Sequence, residues 1–291
     1  MHKPTDPTKT HAINPGPDRQ ALATTLEVQF LAPMLGALPP MWRTAVDVGA
    51  HRGDVTAALT ELRYRVLAIE PHPVVANRLE QRFRPLIERS IVRVARVAAS
   101  DRSGVEGKLH VGSTTTVSSL EEDWTTVGFP AEFQEHSTLR VPLCRVDDLV
   151  RDFAGDRVGF LKVDVEGHEY PALRGCFSRG TMARPAVVMF EAFSRFPVAA
   201  EQCLNYLARQ GYGLFDLFLR VGPDLHAVER FRRPELPEAW RARQGMLFYA
   251  NVIAYHPAAI ECCPIPDPEQ FFAEYQSAQR QQEQRPGRSA A

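Results

Sequence analysis

Residues 44–53, T-A-V-D-V-G-A-H-R-G, decide how this chain is read, because an apolar run ends in an acid and then in a glycine turn. Val46 and Val48 read as a buried strand, with Asp47 near its end. Gly49 and Gly53 free the backbone to turn sharply beside a ligand. Asp54 is placed to cap a helix whose apolar face is Val55, Leu59 and Leu62. A strand, a glycine turn and a helix start in this order make a nucleotide-sized binding site.

Spacing narrows the nucleotide. A dinucleotide fingerprint requires G-x-G-x-x-G, so that the backbone can approach a pyrophosphate. Here the spacing is G-x-x-x-G and the middle glycine is absent. Asp47, on the strand itself, repels a pyrophosphate and suits a cationic ligand. A second strand over 65–69 ends at Glu70, placed as a ribose-binding acid is placed. The two acids favour an adenosine ligand that carries positive charge.

A lone G-A-H-R-G is also an ordinary loop, so the weight falls on the segments beyond it. A helix with Val74, Val75, Leu79 and Phe83 on one side leads to a strand over 91–97 and then to Ala98-Ala99-Ser100-Asp101. Residues 159–169 run as a fourth strand through Lys162, Asp164 and Glu166 into Gly167, His168 and Glu169. A fifth, over 186–190, ends at Glu191. Polar and acidic residues therefore gather at the carboxyl edge, where open α/β sheets bind ligands.

The set V-D-V-G-A-H-R-G (46–53), A-I-E-P-H-P (68–73), A-A-S-D (98–101), R-V-D-D-L (145–149) and F-L-K-V-D-V-E-G-H-E (160–169) resembles the FkbM-type methyltransferases. Each motif alone is weak, and five in this order and spacing are specific; they cover roughly residues 44–191. The resemblance implies S-adenosylmethionine as cofactor, S-adenosylhomocysteine as product and, for most members, oxygen as the methylated atom. It implies a Rossmann-like class I α/β fold, with a mostly parallel seven-stranded sheet, helices on both faces and an antiparallel last strand. Carried onto this sequence, the cofactor-binding positions are Asp47, Gly49, Ala50, His51, Gly53, Glu70, Ser100 and Asp101. One departure is His51, where the family's loop more often carries Asn. The loop is expected to touch its ligand mostly through backbone, so binding stands while the role of the His51 side chain is open.

Methyl transfer is an in-line displacement, so the acceptor oxygen must be held about 3 Å from the methyl carbon. A hydroxyl is a poor nucleophile while it keeps its proton, so a base within hydrogen-bond reach is expected. Asp164 and Glu166 alternate as at a strand end, which aims both to one side, and His168 has a reference pKa of about 6.5. His168, Asp164 and Glu166 are the expected catalytic residues, with His168 as base and Glu191 in reserve. A helix-capping or supporting role for His168 stays open. Lys162 points away from its strand neighbours and reads as an ion-pair partner. Asp164, Glu166, His168, Glu169 and Glu191 could also gather metal ligands, but no spacing demands it and no metal is expected.

The chain has 291 residues, 44% hydrophobic and 24% charged, with a net charge of -1, so no global basic field recruits nucleic acid. Arginines cluster at Arg78, Arg82, Arg84 and Arg89 and again at Arg230, Arg232, Arg233, Arg241 and Arg243. Solvated faces account for both, and an anionic substrate is the alternative for the second. Cys144, Cys176, Cys203, Cys262 and Cys263 are odd in number and lack C-x-x-C spacing, which disfavours a disulfide framework or structural zinc. A cytoplasmic location is expected. The uncharged stretch 28–42 holds three prolines and is shorter than the roughly 20 residues of a membrane span.

One domain is expected over 19–275, between disordered ends at 1–18 and 276–291. Within it, 19–43 reads as a helix and linker, helical over 19–38. An insertion over 107–143 carries β-like runs at 108–111, 115–120 and 139–143. The T-T-T-V-S-S-L segment within it is a candidate wall of the substrate pocket. Residues 221–245 are long for a hairpin connection and read as a substrate lid. The sequence thus predicts an O-methyltransferase acting on a hydroxyl of a small-molecule natural product or saccharide, with homo-oligomerisation open. N- or carboxyl-methylation, and a cofactor-binding module without turnover, are the alternatives; a nicotinamide oxidoreductase is disfavoured by the missing glycine.

Overall fold

Thr44–Val48 is buried along its whole length, as a strand in the middle of a parallel sheet covered on both faces must be. The computed structural model describes residues 17–112, 118–121, 135–154, 157–178, 180, 184–221, 224–232, 235–243 and 246–283. In chain order these form α1 (Pro17–Ala37), β1 (Thr44–Val48), α2 (Asp54–Glu61), β2 (Arg65–Ile69), α3 (Pro73–Glu88), β3 (Val92–Ala95) and β4 (Ala98–Ala99). Next come β5 (Val105–Gly112), β6 (Ser118–Ser119), β7 (Glu135–Cys144), α4 (Val146–Ala154), β8 (Phe160–Val163) and α5 (Glu169–Cys176). The last are β9 (Val187–Phe193), α6 (Pro197–Arg209), β10 (Leu214–Val221), β11 (Asp224–Phe231), α7 (Glu238–Arg241), β12 (Tyr249–Tyr255), α8 (Pro257–Cys262) and α9 (Pro268–Glu283).

The main sheet has the order β11-β10-β12-β9-β8-β1-β2-β3. β3, β2, β1, β8 and β9 are parallel, and β12 inserts antiparallel between β9 and β10. This is the Rossmann-like arrangement expected, with an antiparallel last strand. The expected count of seven is corrected to eight, because β11 adds an edge strand antiparallel to β10.

Side chains alternate across the sheet and fill two cores. Val46, Val48, Leu67, Ile69, Leu161 and Val163 face α4, α5 and α6, which contribute Val150, Leu173 and Leu204. Ala45, Val66 and Phe160 face the other way, against Phe30, Leu31, Met34 and Leu35 of α1 and Val55 and Leu59 of α2. Each such buried large side chain contributes about 1.5–3 kcal/mol relative to exposure. A buried ion pair also ties α1 down: Arg220 of β10 donates to Glu27 through Nε (3.0 Å) and a terminal nitrogen (2.9 Å).

The chain moves outward from β1 to β3 and then returns to lay β8 on the other side of β1. The gap between the carboxyl ends of β1 and β8 is thus the topological switch point, where such sheets bind ligands. On the way back, β5 pairs with β6 and β7, and β7 with β4, in a separate four-stranded sheet. The expected runs at 108–111 and 139–143 lie in β5 and β7, whereas 113–117 and 122–134 lie outside the described residues.

Three boundary expectations change. Gly53, in the left-handed region at φ 82°, is the N-cap of α2, and Asp54 is its first helical residue, paired with Arg82 at 2.7 Å. About a third of the expected lid, Asp224–Phe231, is sheet: Phe215 stacks on Phe231, and Arg230 grips the buried Asp216 at 2.7 and 2.8 Å. Residues 222–223, 233–234 and 244–245 of that segment lie outside the described residues. Gln276 to Glu283, expected in a disordered tail, continues α9, since Gln, Arg, Ala and Glu are good helix formers. Residues 17–18 likewise start α1, while 1–16 and 284–291 lie outside the described residues.

Candidate active site

The end of β1 and the end of β8 meet at Gly49, whose φ is 75°. The loop after β1 uses its amides internally. Those of Gly49 and Ala50 donate to the Ile69 carbonyl, that of His51 to Glu70 Oε2, and that of Gly53 to the Ala50 carbonyl. These four amides are thus engaged within the protein. Carbonyl oxygens keep second lone pairs, so the loop suits a positive ligand group better than a phosphate. His51 occupies the left-handed region at φ 46°, which Asn and His enter more readily than most residues. Burial, together with the Arg52 charge, pushes its imidazole down to about 4, so it is neutral at pH 7.

Asp47 is fully buried. It accepts from Thr56 Oγ1 at 2.7 Å and lies 3.5 Å from Lys162 Nζ, its register partner on β8. Asp47, expected among the cofactor-binding residues, faces the buried Lys162, whose charge its carboxylate compensates. Lys162 also reaches Asp164 at 3.1 Å and donates to the Gly49 carbonyl at 3.1 Å. Burial works against its charge, but Asp164 and Asp47 outweigh it and hold the ammonium above its usual range. Lys162 is thus the ion-pair partner that the strand pattern predicts.

Glu70, at the end of β2, accepts from the amides of His51 (3.0 Å) and His72 (2.9 Å), one on each oxygen. Burial raises its carboxyl above the usual range, and the two amides oppose that rise. Each oxygen retains acceptor capacity for a ribose hydroxyl. Beside it, His72 Nδ1 is buried without a hydrogen-bond partner.

β8 ends at Val163, so Asp164 and Glu166 do not alternate along a strand as expected. Instead Glu166 (φ 56°) and Gly167 (φ 99°) form a turn in the left-handed region, and Glu169 clamps it by accepting from the amides of Val165 and Gly167. The turn still brings the acids together: carboxylate oxygens of Asp164, Glu166 and Glu191 lie within 4.8 Å of one another. Burial and the mutual repulsion of these acids with Asp164 raise Glu166 and Glu191 well above the carboxylate range, with Lys162 opposing. The trio offers oxygens to a metal ion or to an organic cation alike, and Lys162 already compensates Asp164.

His168 sits at the N-cap position of α5, yet its side chain makes no capping bond. Its ring is held at both nitrogens: Nδ1 lies 2.5 Å from Glu121 Oε1 and Nε2 lies 3.1 Å from Ser100 Oγ. Ser100 thus stands beside the candidate base. The Asp101 carboxylate lies 3.3 Å from Arg174 and 3.8 Å from Arg102, and the Asp101 carbonyl accepts from Arg145 Nε at 2.8 Å. Sequence reasoning missed Glu121, which lies 47 residues before His168 and in none of the motifs.

A separate groove of about 710 Å³ runs along the far edge of the sheet, lined by Arg65, Arg84, Arg93, Glu80, Glu88 and Asp152 among others. Its walls come from β2, α3, β3 and α4 and include none of the strand-end acids.

A family model described as the methyltransferase FkbM domain matches residues 47–214. No curated protein matches the chain. Among solved structures it is similar to a precorrin-6y C5,15-methyltransferase from Geobacter metallireducens, at 10% identity over 79% of this chain and 88% of that one, with a TM-score of 0.38. An rRNA methylase from Streptococcus thermophilus matches at 7% identity over 79% and 96%, with a TM-score of 0.40. A SAM-dependent O-methyltransferase from Thermotoga maritima matches at 12% identity over 79% and 64%, with a TM-score of 0.37.

Proposed function

Because this chain belongs to the FkbM methyltransferase family, we propose that it is an S-adenosylmethionine-dependent O-methyltransferase acting on a hydroxyl of a small-molecule natural product or saccharide. The observation that carries the cofactor reading is the charge at the switch point. Glu70 stands at the end of β2, and Asp164, Glu166 and Glu191 gather at the ends of β8 and β9. With the loop amides engaged internally, this edge repels a pyrophosphate and complements an adenosyl ligand bearing a cation. Glu70 and the turn of Gly49 and Ala50 would hold the adenosine end, and the three acids would face the positive end.

When bound, S-adenosylmethionine supplies a methyl carbon made electrophilic by its sulfonium. His168 takes the proton of the acceptor hydroxyl at Nε2, the ring atom that now lies beside Ser100. Asp164 and Glu166 orient the acceptor. The turn at Glu166 and Gly167, clamped by Glu169, keeps these groups in place before the acceptor arrives.

A small acceptor fits the near-neutral net charge, and much of the second arginine cluster is engaged by its own chain: Arg230 with Asp216, Arg241 with Glu238, Arg243 with the Ala239 carbonyl. Among the described residues, no helix is long and apolar enough to cross a membrane. All five cysteines are outside disulfides, which suits a reducing cytoplasm.

Calorimetric titration of the protein with S-adenosylmethionine, S-adenosylhomocysteine and NAD tests this reading. Binding of both adenosyl ligands and not NAD is the expected result, with both weakened in Glu70→Ala. Binding of NAD alone, or of none, overturns it.

A further inference from the structure

The β-rich insertion is fastened to the turn that bears the candidate base. Ser119, in β6, donates its hydroxyl to the Glu166 carbonyl at 2.6 Å and accepts the Glu121 amide at 3.0 Å. β6 is itself held in register on β5, with Ser119 opposite His110. These bonds fix where Glu121 emerges, and its carboxylate reaches His168 Nδ1 at 2.5 Å.

On the far side of the ring the partner is equally constrained. The amide of Ser100 donates to the Cys144 carbonyl at 3.0 Å. Helix α5 presses on the Ser100 backbone at Gly175, where an added β-carbon would lie 2.0 Å from the Ser100 carbonyl oxygen. Ser100 Oγ is thus placed by two backbone contacts and meets His168 Nε2 at 3.1 Å. A carboxylate, an imidazole and a hydroxyl stand in line, contributed by the insertion, the turn after β8 and the end of β4.

We propose that Glu121 is a positioning residue for His168, fixing the ring so that its proton sits on Nδ1 and its basic lone pair on Nε2. This rests on the reading of His168 as the base. Which ring nitrogen carries the proton is set by the partner that the other nitrogen meets. Nδ1 faces an ionised carboxylate, which only accepts, so Nδ1 donates and Ser100 donates to Nε2. When an acceptor hydroxyl delivers its proton to Nε2, the imidazolium that forms is stabilised by the carboxylate already bonded to it. Half-burial works against the charge of Glu121, but the bond from His168 prevails and holds its carboxyl below the usual range. At 44% exposure, Glu121 adds little to folding as an ion pair, so its value lies in the state of the ring.

The groups near this line include Glu166 and Glu169, which flank His168, and Asp101, next to Ser100; all can titrate, so the readout must be the His168 ring itself. Histidine-labelled protein, assigned with His168→Asn, is followed by ¹⁵N NMR from pH 5 to 9 in wild type, Glu121→Gln and Glu121→Asp. In wild type the neutral ring is expected as the Nδ1–H tautomer. Glu121→Gln is expected to mix the two tautomers of the neutral ring, because the Nδ1 partner is no longer an acceptor only. Glu121→Asp is expected to restore part of the Nδ1–H population. An unchanged tautomer in Glu121→Gln overturns the proposal. Calorimetry with S-adenosylmethionine on the same samples separates the two claims: loss of binding in wild type sinks the methyltransferase reading and leaves the ring result standing.

Discussion

The β-carbon that Gly49 lacks would sit 1.8 Å from the carbonyl oxygen of Asp164. Two strand ends that belong to different halves of the sheet therefore touch through backbone, and only glycine permits it. Gly49→Ala adds this overlap to a left-handed φ of 75°. The overlap costs about 1–3 kcal/mol and the backbone conformation about 1–2 more. Urea unfolding is expected to show a loss in that combined range, with weakened S-adenosylmethionine binding in whatever protein remains folded. A wild-type midpoint would show that the loop yields easily.

Glu166 and Glu191 are held above the usual carboxylate range by burial and by Asp164 and Glu169, with Lys162 pulling the other way. Tyr249, raised chiefly by burial, also feels Glu191. A cation bound among these acids favours their ionised forms, so its binding releases protons. S-adenosylmethionine affinity is expected to rise with pH until the acids are ionised in the unliganded protein. S-adenosylhomocysteine, whose thioether is neutral, should show a shallower dependence. Calorimetry at a series of pH values compares them, and parallel curves would falsify a sulfonium facing the trio.

Glu169 is buried and its carboxyl is raised from 4.5 to about 7, chiefly by burial, with the Val165 and Gly167 amides opposing. A raised acid favours the folded state most strongly when protonated. That contribution is complete below the unfolded value and is lost as pH climbs through about 7. The loss is on the order of 3 kcal/mol. Glu169→Gln keeps an acceptor for the two amides and removes the titration. Chemical unfolding at pH 5 and pH 8 should therefore fall less in the variant than in wild type.

Glu27 and Arg220 are both buried and bonded at 2.9 Å. Glu27→Ala removes the carboxylate from a buried guanidinium and is expected to cost about 3–5 kcal/mol. Replacing both, as Glu27→Leu with Arg220→Met, is expected to cost less than the single change, because no charge is left behind. A double-mutant cycle in urea measures the coupling, and additive losses would deny it.

The parts of the site that share a strand end with their motif were legible in the sequence. Glu70, Gly49, Gly53 and His168 lie where an apolar run stops, and periodicity marks such places. Asp47 was legible as an acid but not as a buried one, because its burial depends on Lys162, the register partner brought alongside by the fold. Glu121 carried no local signal: hydrogen bonds of Ser119, in a two-residue strand, bring it to His168. β11 was hidden for the opposite reason. Its D-L-H-A-V-E-R-F sequence has the charge that protects an edge strand from further pairing, and that charge resembles a loop. In α9 the same ambiguity ran the other way, since a run of Gln, Arg, Ser and Glu reads as solvated chain and also propagates a helix.

Helix α1 leaves the ribosome long before β10 and β12, two of the strands it covers. Glu27 precedes its partner Arg220 by 193 residues, a delay of roughly 10–40 s at 5–20 residues per second. For that interval Phe30, Leu31, Met34 and Leu35 await Phe218 and Ile253 of the finished sheet. Helix α1 can meet α2 soon after both are made, but the part of its apolar face that Phe218 and Ile253 cover stays open until β10 and β12 follow.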